Sequence, residues 1–371
     1  MFNKAISITT INEFTLKKKN LFIVTNPMQF LNACESQYFF KTKNNILVFL
    51  FFKGHNQSEE LLKNKDLFPY TQLIILDTRD TRNTISENIT LIKILQKYSY
   101  EKVFMGYFSL NMRRYLCNIN YEDFFLFDDG TYTIALHSEL YNPNYNNAPS
   151  MLHLSKLRKK RNSIRKRILM IYEFYRMIVF KLNGLNNDMD KYYINFFTIY
   201  NLPLYKNERI VVNKYTLLQS KLNKFKKIST IENIVYFLGQ PLNKVLDIDF
   251  DKYIAYLKIV IDYYAEENVS LYYVPHKSER YSSKKIEEKL SSKNFRILII
   301  DKPFELYILD REVKPYRIAS FFSSGLLSLK VMYPSLNIDS FVIPYDKEVR
   351  EDITAIYKVI KRSKIVLVDN I

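Results

Sequence analysis

Three short apolar segments of this sequence are each followed by side chains that can donate or accept protons. These side chains are, in chain order, Asp128 and Asp129, then His276, then Ser323 and Ser324. An apolar run bounded by turn formers is typical of a buried strand. Because open α/β sheets present functional groups at the carboxyl ends of their strands, this recurrence predicts an enzyme with one active-site cleft.

The two carboxylates after residues 124–127 are the strongest candidates for acid–base chemistry. One could accept a proton from a substrate hydroxyl while the other orients it. The pair could also hold a divalent ion, but such an ion needs more oxygen ligands, and the neighbouring sequence offers none. The plainer alternative is a turn, because Asp and Gly are turn formers. The other two segments favour the catalytic interpretation.

His276 follows Pro275 at the end of the second segment. A histidine at this position could donate a proton or a hydrogen bond to a leaving phosphate, and Lys277 adds positive charge. Pro275 restricts the direction in which the chain leaves the strand. The plainer alternative is a histidine with a purely structural role.

Ser323, Ser324 and Gly325 precede residues 326–330, which read as a helix. Hydroxyls and free N–H groups at a helix start can bind an anion, although the same serines could simply cap the helix. Glu305, 18 residues before Ser323, could hold a ribose diol as acidic residues do in nucleotide-binding folds, or could simply begin a helix.

The chain shows two series of alternating strands and helices, which predicts βαβ units and parallel sheets. The helices include one from residue 30, one at 85–98 and one at 251–267. The expected fold is α/β, with two doubly wound Rossmann-like domains, 1–203 and 204–371, facing a central cleft. The predicted strands of the first series are 21–25, 46–52, 72–76, 102–105 and 124–127, and the last of these closes the series. The predicted strands of the second series are 234–238, 271–274, 295–300, 318–322, 340–343 and 365–368.

Composition limits the function classes. Among 371 residues, Lys and Arg outnumber Asp and Glu by 55 to 38, a net charge of +17. This charge predicts an acidic partner: nucleic acid, an anionic membrane surface, or a phosphorylated or carboxylated substrate. The two cysteines and four histidines show neither disulfide-framework nor metal-ligand spacing. With no signal peptide or membrane-spanning run, the expected location is cytoplasmic.

Residues 155–182 form a distinct segment within the first domain. Residues 156–167 contain eight Lys or Arg in twelve positions, and an apolar stretch follows at 168–180. The pattern predicts one or two long helices with a basic half and an apolar half. Their role is either a solvated helix at the domain edge or a contact with a membrane surface or an acidic glycan.

Four short motifs occur in a fixed order along the chain: Thr25-Asn26-Pro27-Met28-Gln29, Phe127-Asp128-Asp129-Gly130-Thr131, Val274-Pro275-His276 and Phe321-Phe322-Ser323-Ser324-Gly325-Leu326. Together they resemble the motifs of the bacterial lipooligosaccharide sialyltransferases, glycosyltransferase family 52, which are in turn a Thr-Pro-x-Gln type turn, Asp/Glu-Asp/Glu-Gly, His-Pro and a paired-hydroxyl phosphate site. Two departures stand out: Lys277 replaces the proline of His-Pro, and Leu242 stands where some members carry an acid after a Gly-x-Pro turn.

The resemblance implies a GT-B fold and an inverting, metal-independent transfer of sialic acid from CMP-sialic acid to a galactose-type hydroxyl of lipooligosaccharide or capsule. No cofactor is implied beyond this donor, and a homodimer or peripheral attachment to the anionic inner membrane is compatible with it. The implied sites are Asp128, Asp129 and His276 for catalysis, Gly239, Gln240, Pro241, Lys277, Glu305, Ser323 and Ser324 for the donor, and Asn26, Gln29 and Gly130 for the acceptor.

Two alternatives remain from the sequence. A related GT-B transferase could use another nonulosonic acid, Kdo or a UDP-hexose. A basic nucleic-acid-binding protein would explain the charge, but zinc-finger spacing, RNP aromatics and a Gly-rich RNA loop are all absent from the sequence, so nucleic acid is not the expected partner.

Overall fold

A computed structural model gives the fold in two units. The first unit comprises residues 1–129, 139–198 and 203–213, and the second comprises residues 130–138, 199–202 and 214–371. The residues that the structure describes are 5–10, 18–52, 58–80, 84–140, 163–188, 193–204, 208–222, 231–267, 269–276, 279, 283–290, 292, 294–309, 311 and 314–369.

The first unit is built on an eight-stranded sheet in the order β1-β4-β3-β2-β5-β6-β7-β8. All neighbours pair in parallel except β1, which runs antiparallel to β4 at one edge. The strands are β1 (Ile6–Thr10), β2 (Lys19–Val24), β3 (Asn45–Phe51), β4 (Gln72–Asp77), β5 (Ser99–Met105), β6 (Asn120–Phe127), β7 (Asn195–Thr198) and β8 (Ile210–Val212).

Burial on both faces explains why the central strands of this sheet are continuous apolar runs. Every residue of β2 and β3 is buried. Aromatic rings cross the sheet as a stack, in which Phe22 lies 4.5 Å from Phe104 and Phe104 lies 5.4 Å from Phe125, centroid to centroid. The helices along this part of the chain are α1 (Pro27–Phe40), α2 (Ser58–Asn64), α3 (Thr84–Leu95), α4 (Leu110–Leu116), α5 (Tyr132–Leu140, mostly in the second unit) and α6 (Ser163–Leu182).

The second unit has a six-stranded parallel sheet in the order β11-β10-β9-β12-β13-β14. The strands are β9 (Ile231–Leu238), β10 (Ser270–Val274), β11 (Phe295–Ile297), β12 (Lys314–Ser320), β13 (Ile338–Phe341) and β14 (Val366–Val368). The helices are α7 (Thr216–Leu222), α8 (Leu242–Val245), α9 (Phe250–Ala265), α10 (Ser283–Lys289), α11 (Phe304–Leu309), α12 (Ser324–Met332) and α13 (Glu351–Arg362).

Each sheet reverses its direction of growth at one point. In the first unit β2, β3 and β4 extend one way and β5 to β8 the other, so the reversal lies between β2 and β5. In the second unit the reversal lies between β9 and β12, giving the strand order of a Rossmann fold. Ligands of open α/β sheets bind beyond the carboxyl ends of the strands at such a switch point.

The structure confirms the two predicted series of strands and helices and corrects one expectation. The strand at 124–127 does not close the first sheet, because β7 and β8 pair beyond it. β7 and β8 have only four and three residues, which is too short for a hydrophobic pattern to be recognised in the sequence. β1 was not predicted either, because four of its five residues are exposed. The predicted helical segment appears as α6, while residues 151–162 lie outside the described residues.

Candidate functional site

The turn after β2 is the starting point of the site in the first unit. Asn26 has an extended backbone and caps α1, its Oδ1 accepting the backbone N–H of Gln29 at 2.9 Å. The Gln29 Oε1 in turn accepts both the backbone N–H and the hydroxyl of Thr25, each at 2.9 Å. A backbone N–H can only donate, so these bonds define which end of each amide is the oxygen.

Both amide nitrogens consequently point at one carboxylate. Nε2 of Gln29 donates to Oδ1 of Asp129 at 2.9 Å, and Nδ2 of Asn26 donates to the same oxygen at 3.1 Å. Asp129 follows β6, and the other two residues lie at the end of β2, on the other side of β5. The strand order therefore brings together residues about one hundred positions apart at the switch point of the sheet.

Asp128 has a different environment from its neighbour. Its side chain is buried, and its Oδ1 accepts the hydroxyl of Thr198 at 2.6 Å. Its backbone carbonyl accepts Nδ2 of Asn32 at 3.0 Å, and Oδ1 of Asn32 accepts from Asn213 at 3.2 Å. Asp128 thus links β6 to α1 and to the end of β7. Its side chain is buried, whereas the side chain of Asp129 is half-buried.

Two further residues near the Asp129 carboxylate, Gly106 and Tyr107, were not predicted from the sequence. Gly106 follows β5, and a Cβ at this position would lie 2.4 Å from Cγ and Cδ of Gln29. Only glycine leaves room for the amide that reaches Asp129. Tyr107 has a raised pKa, first because of burial and second because of the charge of Asp129. A glycine after a strand was the one sequence signal that could have indicated the close approach.

In the second unit, the loops after β9 and β12 are joined at the switch point. Gln240, which is buried, accepts the backbone N–H of Phe322 at 2.8 Å through Oε1. The hydroxyl of Ser320 donates to the carbonyl of Leu238 at 2.5 Å. Pro241 then starts α8. Gln240 therefore braces the loop that carries the two predicted phosphate-binding serines.

Ser323 and Ser324 lie at the start of α12. Ser323 is the N-cap, and its hydroxyl accepts the backbone N–H of Gly325 at 3.2 Å. A Cβ on Gly325 would lie 2.9 Å from Leu238, so the helix start packs closely on the end of β9. Gly130 has a positive φ of 65°, and a Cβ there would lie 3.2 Å from Oγ of Ser324.

Glu305 is buried in the first turn of α11, beside the same helix start. Its Oε1 would lie 3.7 Å from a Cβ on Gly325. Desolvation raises the pKa of Glu305, while its own backbone N–H and the Ser328 hydroxyl oppose the increase. The structure therefore brings Glu305 together with the serine turn.

A buried carboxyl that the sequence did not indicate holds the His276 loop. Oε2 of Glu279 accepts the backbone N–H of His276 and the hydroxyl of Tyr273, both at 3.0 Å, and the N–H of Glu279 donates to the carbonyl of His276 at 2.7 Å. Tyr273 and Tyr253 hydroxyls are 2.7 Å apart. Burial raises the pKa of Glu279, opposed by these hydrogen bonds.

Gly239 is needed beneath this network. A Cβ on Gly239 would lie 2.4 Å from Oη of Tyr273 and 2.8 Å from Oε2 of Glu279. The predicted donor residues Gly239 and Gln240 and the predicted catalytic residue His276 therefore belong to one connected group of loops after β9, β10 and β12. Lys277 lies outside the described residues. Within the described parts of the chain, no group of three or more His, Cys, Asp or Glu could hold a metal ion.

Nor does any helix in the described ranges have the length and apolar character needed to cross a membrane. The sequence matches no protein-family model, and no curated protein matches it.

Several solved structures are similar to this chain. A glycosyl transferase family 9 protein from Veillonella parvula is 8% identical, with a TM-score of 0.42 over 95% of this chain and 86% of that chain. The UDP-GlcNAc 2-epimerase of Methanocaldococcus jannaschii, in complex with UDP-GlcNAc and UDP, is 11% identical, with a TM-score of 0.48 over 92% of each chain.

The comparison that bears on the fold is with Arabidopsis thaliana UGT89C1 complexed with UDP-L-rhamnose. It is 10% identical, and the TM-score is 0.50 over 96% of this chain and 86% of that chain. At this identity the likeness concerns the fold alone. The chain therefore has a mixed α/β fold of two Rossmann-like parallel-sheet units, the GT-B fold expected from the sequence.

Proposed function

We propose that this protein is an inverting glycosyltransferase that moves sialic acid from CMP-sialic acid to a galactose-type hydroxyl of a surface glycan. The supporting observation is the Asp129 carboxylate, which the amides of Asn26 and Gln29 hold at the switch point of the first sheet. The order of the sequence motifs supports the sugar and the nucleotide, and the GT-B fold is compatible with both.

In this proposal the first unit supplies the base. The acceptor hydroxyl gives its proton to Asp129 as its oxygen attacks the anomeric carbon. Asn26 and Gln29 orient the carboxylate and contact the acceptor, while Asp128 positions the turn through Thr198 and Asn32. The transition state resembles the oxocarbenium ion of glycoside cleavage.

The second unit holds the nucleotide in this proposal. The bond between the anomeric carbon and the phosphate oxygen breaks, and CMP leaves with the electron pair. The phosphate accepts hydrogen bonds from His276, Lys277 and the start of α12 at Ser323 and Ser324. Glu305 is the candidate for binding the ribose.

His276→Ala is expected to slow transfer. Ser323→Ala and Ser324→Ala are each expected to weaken CMP binding by roughly 1 kcal/mol, measured by calorimetry.

A UDP-hexose transferase is the second candidate, because the Arabidopsis protein of the same fold was solved with UDP-L-rhamnose. A panel of CMP-sialic acid, CMP-Kdo, UDP-glucose and UDP-galactose, each with lactose as acceptor and with EDTA present, distinguishes the two. We expect transfer from CMP-sialic acid alone, undiminished by EDTA. Transfer only from a UDP-sugar would replace the sialyltransferase proposal, and a strict need for Mg²⁺ would exclude the metal-free mechanism.

We also propose that the basic segment at residues 156–167 holds the enzyme against an anionic membrane surface, where lipid-linked acceptors are found. The segment has eight Lys or Arg, and each contributes on the order of 1 kcal/mol near such a surface. Neutralising them is expected to release the protein from anionic vesicles while transfer to a soluble acceptor continues.

A further inference from the structure

Helix α6 faces the first unit with its charged side. Glu173 accepts from Arg114 at 2.8 Å and lies 3.7 Å from Arg176, and both arginines are buried. Their guanidinium groups also lie over the ring of Phe180, at 5.2 Å for Arg114 and 5.9 Å for Arg176. The helix is therefore attached to the protein by ion pairs and cation–π contacts on its charged side. An ordinary surface helix instead packs its apolar side against the core and turns its charged side to solvent.

Large apolar side chains occupy the other side of the same helix and are exposed. Ile171 is 69% exposed and Phe174 is 64% exposed. At about 100° per residue, the exposed large side chains cover an arc of roughly 220°, with Tyr172 at one edge, and Glu173, Arg176 and Phe180 lie on the remaining arc. The exposed set is Met170, Ile171, Tyr172, Phe174, Tyr175, Met177, Ile178 and Leu182.

The charges around this apolar arc indicate what covers it. Glu173 is the one acidic residue of the α6 sequence, and it faces the protein. The apolar stretch begins directly after the eight basic residues at 156–167, and exposed Lys181 follows it at the other end. An apolar helix face flanked by cations and lacking acids is the pattern of a helix that lies in a membrane interface.

We propose that the apolar face of α6 inserts into the headgroup and acyl boundary of an anionic lipid bilayer. The basic residues provide the initial attraction, and the apolar side chains then enter to a depth of about 5–10 Å. A second copy of the chain carries the same net positive charge of +17, so electrostatics oppose its approach, whereas an anionic bilayer is attracted. This inference does not depend on the proposed sugar transfer.

The absence of tryptophan from the sequence allows a direct test in the full-length protein. Phe174→Trp places a single fluorescent reporter on the proposed face. Tyr193→Trp is the matched control, because Tyr193 is an exposed aromatic residue of the same unit. Each protein is titrated with vesicles of phosphatidylglycerol and phosphatidylcholine, with phosphatidylcholine alone, and with vesicles that contain brominated acyl chains.

With anionic vesicles, we expect a blue shift and bromine quenching for Phe174→Trp only. Adding Ile171→Ser and Ile178→Ser should weaken vesicle binding by tenfold or more. The matched change Ile231→Ser, at another exposed isoleucine, should leave it unchanged. Binding without shift or quenching would mean that only the basic segment contacts lipid, and would overturn insertion. A blue shift that grows with protein concentration and not with lipid would show that a second copy covers the face.

Discussion

Asp128 and Asp129 are neighbours in the chain, yet their carboxylates have different surroundings. The Asp128 side chain is buried against Thr198, and the Asp129 side chain is half-buried and bound by the amides of Asn26 and Gln29. The sequence leaves open which of the two is the base. The geometry favours Asp129 as the base and Asp128 as a residue that positions the turn.

The two aspartates should respond differently to substitution. Asp129→Asn is expected to lower kcat by about 10² or more without changing the unfolding midpoint, because the group that takes the proton is lost. Asp128→Ala should cost about 1–3 kcal/mol of unfolding free energy, because it leaves the buried Thr198 hydroxyl without its acceptor. Transfer assays and urea denaturation measure the two effects. Near wild-type turnover in Asp129→Asn would place the base elsewhere.

Gly106 and Gln29 should behave as one unit. A Cβ at position 106 would lie 2.4 Å from the Gln29 side chain and displace its amide from Asp129. Gly106→Ala and Gln29→Ala are therefore expected to lower turnover by similar factors. The double variant should be no slower than either single variant, since the displaced group is already absent. Additive losses in this cycle would show that Gly106 acts through another contact.

At the scale of elements, each candidate group lies where a strand ends next to the reversal point of its sheet. Residues after β2, β5 and β6 surround Asp129, and residues after β9, β10 and β12 surround Gln240 and His276. Buried carboxyls lie among the loops of the second unit: Glu279 accepts the backbone N–H of His276, and Glu305 lies beside the start of α12 at Gly325. These loops should therefore be sensitive to pH as well as to substitution.

The buried carboxyl of Glu305 provides a pH test. Its pKa is raised by desolvation in the folded state, while an unfolded Glu titrates near about 4.3. At a pH between the unfolded-state pKa and the raised folded-state pKa of Glu305, the folded protein holds a proton that the unfolded chain releases. The free energy of unfolding therefore falls as pH rises through this interval. Glu305→Gln removes this loss, so the stability of the variant relative to wild type should increase as the pH rises above about 4.3, measured by urea denaturation over a range of pH values.

Glu348→Gln, which changes an exposed carboxyl, is the matched control. Its stability relative to wild type should not vary over the same pH range. If the Glu305→Gln difference were equally flat, the ionised form of Glu305 would be as stable in the folded state as in the unfolded chain.

At the scale of the whole molecule, the net charge of +17 favours an anionic donor over a neutral acceptor. Raising the ionic strength from about 0.1 M to about 1 M shortens the Debye length from about 10 Å to about 3 Å. We expect the KM of the nucleotide-sugar donor to rise several-fold, with little change in kcat. The KM of a neutral acceptor such as lactose is the internal control, and an equal rise there would indicate a general effect of salt on the enzyme.

The sequence by itself determined the α/β class and where the candidate catalytic groups stand along the chain. Strands such as β2, β3 and β6 contain continuous apolar runs because they are buried in a parallel sheet, and the polar residues that follow them were therefore recognisable. The caps at Asn26 and Ser323 were equally local, since an N-cap depends on residues within one turn of helix.

Only the tertiary structure decided which of these residues meet. Gln29 contacts Asp129 across one hundred positions because β5 lies between β2 and β6, a strand order that no local pattern contains. Glu279 and the tyrosines beneath Gly239 were not recognisable in the sequence, because a single buried carboxyl does not produce a repeating pattern of residue types. In the segment of α6, the sequence predicted a basic half and an apolar half, but the ion pair between buried Arg114 and Glu173 decided which side faces the protein and left the large apolar side chains exposed.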